Sequence, residues 1–324
     1  MIRISGKINR LFLWIVILHL TASIILSMLL LRSLSVPPAV QFIASELIIL
    51  IPGFLFLLIY NCDLRKWIPF KKMNGYSIGM TVLFTYLMMP LISFINIFSQ
   101  LFSENEILGI TDEILSIPSL LVVFIIGILG PFCEEFIFRG IIFSGYKKTG
   151  RLLGALILSS LLFGLMHMNF NQFCYAGILG FVFALLVEAT GSLWSSVISH
   201  MIVNTHNVVM LFAVQKLYTA LGTDMEQLYG ESVTLDEKLY ALGLFLILSV
   251  IFTSLAAAVF AAICKRQGTA GHIRDIFKSR QENLTGPESR RKKEPLLTFS
   301  GVFGIAVCLF VMFGLDPVLR MLGW

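Results

Sequence analysis

Apolar residues occur along this chain in nine long runs that are separated by polar stretches. A helix needs about 20 predominantly apolar residues to cross the hydrocarbon core of a bilayer. The runs therefore predict nine membrane-spanning helices, over 10–31, 39–60, 77–100, 119–143, 152–169, 174–190, 192–214, 239–264 and 298–322. The fifth and sixth runs are short, which indicates either a locally thinned bilayer or helices that lie inside the bundle.

The pattern predicts an all-α polytopic membrane protein, a bundle of about nine transmembrane helices, with a core of eight helices as the alternative. Residues 1–264 are expected to form the main transmembrane domain, 265–297 a basic cytoplasmic loop, and 298–324 a C-terminal transmembrane helix. Composition agrees, because 57% of the 324 residues are hydrophobic and only 13% are charged. Soluble domains carry about 25% charged residues, so the chain falls outside that class.

The charges of the polar stretches change sign along the chain. Lys and Arg predominate before the first helix, after the second and the fourth, and in 265–297, whereas 101–118 and 215–238 are acidic. Since cytoplasmic loops carry an excess of Lys and Arg, the N-terminus is predicted to be cytoplasmic and the C-terminus to be outside. The net charge of +5 arises largely from these loops, so the lipid bilayer is the expected partner and nucleic acid is not.

Ionisable residues lie inside the fourth apolar run, where each one costs about 2.5–3.5 kcal/mol to insert. Glu134, Glu135 and Arg139 fall within six residues, shortly after Pro131, which should kink the helix. Glu135 and Arg139 are four residues apart and can pair on one helix face. Glu134 points about 100° away and is free to act as a general base. A charge-paired packing device between helices is the alternative.

Two further segments carry polar residues that could complete a site. His167 follows Phe163 by four residues in the fifth run, and Phe163 is expected to pack beside the site rather than to react. His200 and Asn204 are also four residues apart, in the seventh run, and project from one face. Such a pair either holds helices together or donates two hydrogen bonds to a developing oxyanion.

Taken together, the three segments resemble the CPBP family, the CAAX-prenyl-protease type 2 and bacteriocin-processing (Abi) intramembrane proteases. The resemblance rests on Glu-Glu-x-x-x-Arg, Phe-x-x-x-His and His-x-x-x-Asn, in this order on separate helices, between Glu134 and Asn204. It implies an intramembrane endopeptidase whose protease core lies at about 119–214. The implied partner is a membrane-associated peptide or protein substrate, with or without an attached lipid.

The resemblance also implies a role for each polar residue of the motifs. The implied catalytic residues are Glu134, His167, His200, Asn204, Glu135 and Arg139. The first two would activate the attacking water, the next two would stabilise the tetrahedral oxyanion, and the last two would hold the geometry of the site.

Whether a metal takes part is left open by this interpretation, because the family is often labelled a metalloprotease. Glu134, His167 and His200 would make a His₂Glu zinc set with an open position for water. The HExxH helix that is usual in zinc proteases is absent from the sequence. Glu135, already expected to be engaged by Arg139, would be a poor fourth ligand. No cofactor is therefore expected, with zinc as the alternative.

Two other functions are compatible with buried charges. An ion-coupled transporter would also hold Glu, Arg and His near the bilayer midplane, although no matched pair of interrupted helices is seen in two halves of the chain. A non-catalytic membrane scaffold or immunity protein of the same fold would need these residues only for stability. A bacterial plasma membrane is the expected location.

Four ionisable residues inside apolar runs have no motif partner. Glu46 and Glu188 are expected to reach water at the membrane surface. His19 and His206 are expected to be packed or hydrogen-bonded within the bundle rather than catalytic.

Overall fold

The computed structural model describes residues 3–103, 110–222, 234–278 and 294–315. Within these ranges the chain forms helices joined by short connections, and no strand occurs. By length and composition, seven of the described helices can cross a membrane, and two shorter apolar helices accompany them. Each predicted run coincides with one of these helices. The all-α polytopic fold is therefore confirmed, and the chain is an integral membrane protein.

The described helices are numbered here in chain order. They are α1 (Ile4–Leu31), α2 (Pro38–Ile59), α3 (Leu64–Trp67), α4 (Gly75–Ser99), α5 (Thr111–Leu115), α6 (Ser119–Lys147), α7 (Leu152–Met166), α8 (Phe170–Thr190), α9 (Leu193–Ala220), α10 (Leu235–Gln267), α11 (Ala270–Lys278) and α12 (Phe299–Leu315). The segment 265–297, expected to be a loop, thus contains the end of α10 and the whole of α11. Parts of four predicted features lie outside the described residues: 104–109 and 223–233 of the two acidic stretches, 279–293 of the basic loop, and 316–322 of the last span.

The two runs that were expected to be short differ in the structure. Helix α8 has 21 residues, so the short sixth span was wrong. Its start is set by Asn169, whose side chain accepts a hydrogen bond of 2.8 Å from the Gln172 N–H and caps the helix four residues earlier than the apolar run suggested. Helix α7 has only 15 residues, about 22 Å at 1.5 Å per residue. Most of it is buried, in agreement with a helix inside the bundle.

Helices α6 and α8 form the centre of the bundle. About half of the most apolar part of each is buried, 50% for α6 and 56% for α8, compared with 11% for α1 and for α10. Helix α6 packs against α2, α7, α8 and α9, and α8 also packs against α4 and α10. The motif-bearing helices α6, α7 and α9 therefore meet in the most enclosed part of the molecule.

Glu188, near the end of α8, is buried, contrary to the expectation that it reaches water. Its carboxylate forms an ion pair with Lys147 at the end of α6 and lies 2.9 Å from Nε2 of His272 on α11. The Thr269 hydroxyl donates a hydrogen bond of 2.8 Å to the Ala189 carbonyl beside it. These contacts hold α11 against one end of the bundle.

Candidate active site

Helix α6, which carries both motif glutamates, is not a regular α-helix. Two π-helical stretches, Val123–Leu129 and Phe136–Phe143, flank the α-helical stretch Gly130–Glu135. Pro131 has no N–H, so it leaves carbonyls of the preceding turn without their usual donor. A π-helical turn is frequent at functional sites in membrane and soluble proteins alike. The helix type thus changes around the glutamates, and the kink at Pro131 stays a prediction.

Side chains of α9 satisfy the carbonyls that α6 exposes. Asn204 Nδ2 donates to the Ile126 carbonyl, and Thr205 Oγ1 donates to the Gly127 carbonyl, each at 3.2 Å. Gly127 permits this approach, because a Cβ there would lie 3.3 Å from the Thr205 Cα. The hydrogen bonds fix α9, and with it His200, against the glutamate helix.

Glu135 and Arg139 form the buried ion pair that their spacing predicts. Arg139 Nη1 lies 2.7 Å from Glu135 Oε1, and the two side chains are 2% and 0% exposed. The same Oε1 lies 3.0 Å from His200 Nδ1. Because two charges in a low-dielectric interior must be paired to offset their desolvation, this three-residue network is a fixed unit. We call it the Glu135 network.

Aromatic rings surround the Glu135 network and connect it to the other motif histidine. The Arg139 guanidinium lies 4.2 Å from the centroid of the Phe163 ring and 5.4 Å from that of Phe183. Phe163 meets the His167 ring at 5.3 Å and the His200 ring at 5.9 Å, both edge-on. Phe163 is therefore confirmed as a packing residue, and it holds the two histidines and the guanidinium at fixed distances.

His200 bridges the two glutamates of α6. Its Nδ1 faces Glu135 Oε1, and its Nε2 lies 3.6 Å from Glu134 Oε2. An ionised carboxylate only accepts hydrogen bonds, so the proton of the His200–Glu135 contact belongs on Nδ1. In a neutral ring Nε2 is then the free nitrogen, and it is turned toward Glu134.

Glu134 and His167 lie on the wall of one cavity of about 160 Å³. Glu134 lies about 20 Å along α6 from the end of that helix at Lys147. Helix α7 begins shortly after Lys147 and is roughly 22 Å long, and His167 follows its last residue. Both side chains therefore lie at a similar depth from the same end of the bundle. His167 Nδ1 lies 3.0 Å from the Phe163 carbonyl, which directs Nε2 away from its own helix. A left-handed residue, Met168 with φ 52°, ends α7 directly after His167 and turns the chain into α8.

Two residues that the sequence interpretation set aside line the same cavity. Glu46 of α2 was expected to reach water and His19 of α1 to be packed or hydrogen-bonded. Glu46 Oε2 is instead buried and has no hydrogen-bond partner among the described residues. His19 Nδ1 is also buried without such a partner, so His19 is packed as expected but not hydrogen-bonded through this atom. Their burial inside apolar helices was the available signal, because an intramembrane ionisable residue indicates function by default.

The remaining motif residues lie behind the cavity wall. Neither His200 nor Asn204 lines the cavity, and the Asn204 amide donates to a backbone carbonyl. An Asn amide carries two hydrogens, so one remains for a ligand. The oxyanion role of this pair stays a prediction, whereas its role in holding α9 against α6 is visible in the contacts.

Comparison with known proteins finds matches to the part of the chain that carries these residues. Residues 116–206 match the family model described as "Type II CAAX prenyl endopeptidase Rce1-like". The chain is also 35% identical over 130 residues to a protein of Bacillus subtilis (strain 168) described as "Putative membrane peptidase YdiL". That similarity covers 40% of this chain and 52% of the relative, so the chain spans about half of the relative's length. No solved structure matches the chain.

Both similarities support the resemblance to the CPBP family. The matched residues 116–206 contain all six candidate site residues, from Glu134 to Asn204, and lie on the helices that bring them together. Glu46 and His19 lie outside this segment, on helices that pack against its cavity from the N-terminal side of the chain.

The suggested zinc set does not come together in the described part of the chain. No group of three or more His, Cys, Asp and Glu side chains is placed there to hold a metal ion. Of the suggested ligands, His200 is bound by Glu135 and only its Nε2 approaches Glu134, while His167 lies across the Phe163 ring. The arrangement of the residues does not fit a His₂Glu zinc site.

Gly180 of α8 provides the space for the Arg139 guanidinium. A Cβ at Gly180 would lie 3.1 Å from Arg139 Nη2 and 3.1 Å from the Ser160 Cα on α7. Gly180→Ala is expected to destabilise the protein by about 1–3 kcal/mol, because overpacking shifts the helix backbone. Thermal unfolding in detergent measures this change. Gly79→Ala is the matched control, since nothing lies within 4 Å of a Cβ there and Ala favours a helix; equal melting temperatures for both variants would contradict the close fit.

Proposed function

We propose that this protein is an intramembrane endopeptidase in which Glu134 activates water. The observation that carries the proposal is the position of the half-buried Glu134 carboxyl. It faces a cavity shared with His167 on one side and the buried Glu135 network on the other. A general base needs an acceptor that is open to the reactant and fixed by its surroundings. The similarity to a prenyl endopeptidase family and to a membrane peptidase supports the same reaction.

The proposed reaction needs one water and one peptide bond. Glu134 takes a proton from the water, whose oxygen attacks the peptide carbonyl carbon to give a tetrahedral oxyanion. Glu134 then returns the proton to the leaving nitrogen as the C–N bond breaks. His167 holds the water or the oxyanion across the cavity, and the Glu135 network keeps His200 Nε2 directed at Glu134. The proposal is metal-free.

The proposed substrate is a peptide segment that enters the bundle from the membrane or its surface. The cavity lies about 20 Å from the end of α6, inside the span of the helices. An attached lipid would let a substrate partition into the bilayer beside the site, so substrates with and without a lipid are separate arms of the test. A bacterial plasma membrane is the proposed location.

Cleavage by the purified protein in detergent tests the proposal. Quenched peptides with and without a C-terminal lipid are incubated with wild type and with His167→Ala, in the presence and absence of a strong chelator. We expect His167→Ala to lower kcat/KM by about 10²-fold or more, because a cavity residue that contacts the reacting atoms is removed. Chelator is expected to leave wild-type cleavage unchanged.

His206→Ala is the matched control for this experiment. His206 lies on the same bundle but packs edge-on against Tyr86, with ring centroids 6.1 Å apart, away from the cavity. Wild-type rates in both histidine variants would contradict the assigned site. Loss of activity with chelator and its recovery with zinc would overturn the metal-free mechanism. No cleavage by wild type of any peptide would favour the transporter or scaffold function instead.

A further inference from the structure

Glu46 lies in the middle of α2 and faces the Glu134 cavity without a protein partner. Its Oε2 is buried and has no hydrogen-bond partner among the described residues. Its Oε1 approaches α6 at Gly130: a Cβ on residue 130 would lie only 3.0 Å from Glu46 Oε1. A glycine at this point therefore lets a carboxyl from α2 reach the helix that carries Glu134. Such a close approach of a carboxyl to a neighbouring backbone does not arise from a side chain that extends to water.

In the described parts of the chain, the ionisable groups that face Glu46 belong to the cavity or its wall. Glu134 and Cys133 come from α6, His19 from α1 and His167 from α7. Glu46 and Glu134 line the same cavity of about 160 Å³, so the two carboxylates would repel each other if both were ionised. Among the described residues no Lys or Arg lines the cavity, so neither carboxylate has a cation from them to offset the repulsion.

Two carboxyl groups in one small enclosed space resist joint ionisation, and they titrate as a pair. Burying a second, unpaired carboxylate would be costly, whereas a neutral carboxyl can donate a hydrogen bond to an adjacent carboxylate or water. The Glu134 side chain is 19% exposed, so a charge on it is partly solvated. Glu46 Oε2 is buried without a hydrogen-bond partner among the described residues, so the proton of the pair is better held on Glu46.

We propose that Glu46 is a positioning residue of the site, a carboxylic acid that shares one proton with Glu134 and keeps Glu134 available as the base. This inference rests on the proposed function. Glu46 forms and breaks no bond with the substrate: its hydroxyl donates to Glu134 or to the water between them. When pH rises until Glu46 also ionises, the donor is lost and two negative charges face each other. Activity then falls on the alkaline side of the pH profile.

The pH dependence of kcat/KM in Glu46→Gln tests the proposal. Gln is neutral at every pH and carries a donor, so it imitates the protonated acid. We expect the maximal rate of the variant to stay within about threefold of wild type. The pH at which its activity falls on the alkaline side should rise by at least about one unit, which is the size of a strong interaction between paired titrating sites. Glu46→Asp, which can still ionise, should keep an alkaline limb. A purely structural Glu46 would change the rate or the stability and leave the limb in place, and that result would overturn the proposal.

Infrared spectroscopy tests the shared proton without any turnover. At neutral pH the wild type should show the C=O stretch of a protonated carboxylic acid that is lost in Glu46→Gln and shifted in Glu134→Gln. Glu113→Gln, on the exposed face of α5, is the matched control and should leave the band unchanged. A band that persists in Glu46→Gln, or no such band in wild type, would overturn the proposal. If wild type cleaves no peptide but the band behaves as described, the proposed function fails and the proton-sharing pair does not.

Discussion

Glu134→Gln is expected to abolish cleavage while the protein still inserts and folds. The amide has the same shape as the carboxyl, and it can donate to the His200 Nε2 that lies 3.6 Å from Glu134 Oε2. It cannot accept a proton, so the base is removed with little change in packing. General base catalysis contributes about 10²–10⁴-fold, and kcat should fall by at least that factor. The rate with the best peptide substrate, measured at saturation, checks this result.

Two controls separate a lost base from a damaged fold. The thermal unfolding midpoint of Glu134→Gln should stay close to that of wild type, since the side chain is only partly buried. Glu113→Gln makes the same chemical change on the exposed face of α5 and should retain the wild-type rate. Turnover at the wild-type rate in Glu134→Gln, with an unchanged melting temperature, would refute Glu134 as the base.

Arg139→Met is expected to have the largest effect on stability. It leaves the Glu135 carboxylate 0% exposed and without its cation, and breaking one side of a buried ion pair costs about 3–5 kcal/mol. Met fills most of the space that the Arg139 side chain occupies beside the Phe163 and Phe183 rings. The loss of stability therefore reflects the removed charge more than the change in side-chain volume. Chemical or thermal unfolding in detergent measures it.

A double-mutant cycle with Glu135→Gln assigns that loss to the pair. Arg139→Met/Glu135→Gln leaves no buried charge at either position, so it should be less destabilised than the sum of the two single variants, with a coupling of about 0.5–3 kcal/mol. Lys66→Met removes one partner of an exposed ion pair with Asp63, in which the two side chains are 85% and 52% exposed, and should have little effect. Additive losses in the cycle would show that Glu135 and Arg139 do not act as a unit.

Most of the fold follows from hydropathy along the chain. Each apolar run became a helix because the backbone must satisfy its own hydrogen bonds in a bilayer, and this requirement depends on local sequence alone. The boundaries of α7 and α8 were predicted less accurately from hydropathy. They depend on the helix cap at Asn169 and on the left-handed backbone of Met168 rather than on the length of the apolar run. The orientation of the termini stays a prediction of the loop charges.

Part of the candidate site was also predictable from local spacing. Glu135 and Arg139 pair as a four-residue interval in a helix predicts, and this interval brings the two side chains together even where α6 becomes π-helical. The position of His200 between the two glutamates was not predictable in the same way, because it depends on how α9 packs against α6.

The sequence by itself determined which segments enter the membrane and which of them carry ionisable residues, because apolar length and the cost of a buried charge are properties of short stretches. Only the tertiary structure decided which of those charges meet. Glu46 and His19 share a cavity with Glu134 and His167, although they precede Glu134 by 88 and 115 residues in the sequence. The Asn204 amide donates a hydrogen bond to a carbonyl of α6. These contacts depend on helix packing and on the π-helical stretches around Pro131, which no spacing along one helix encodes.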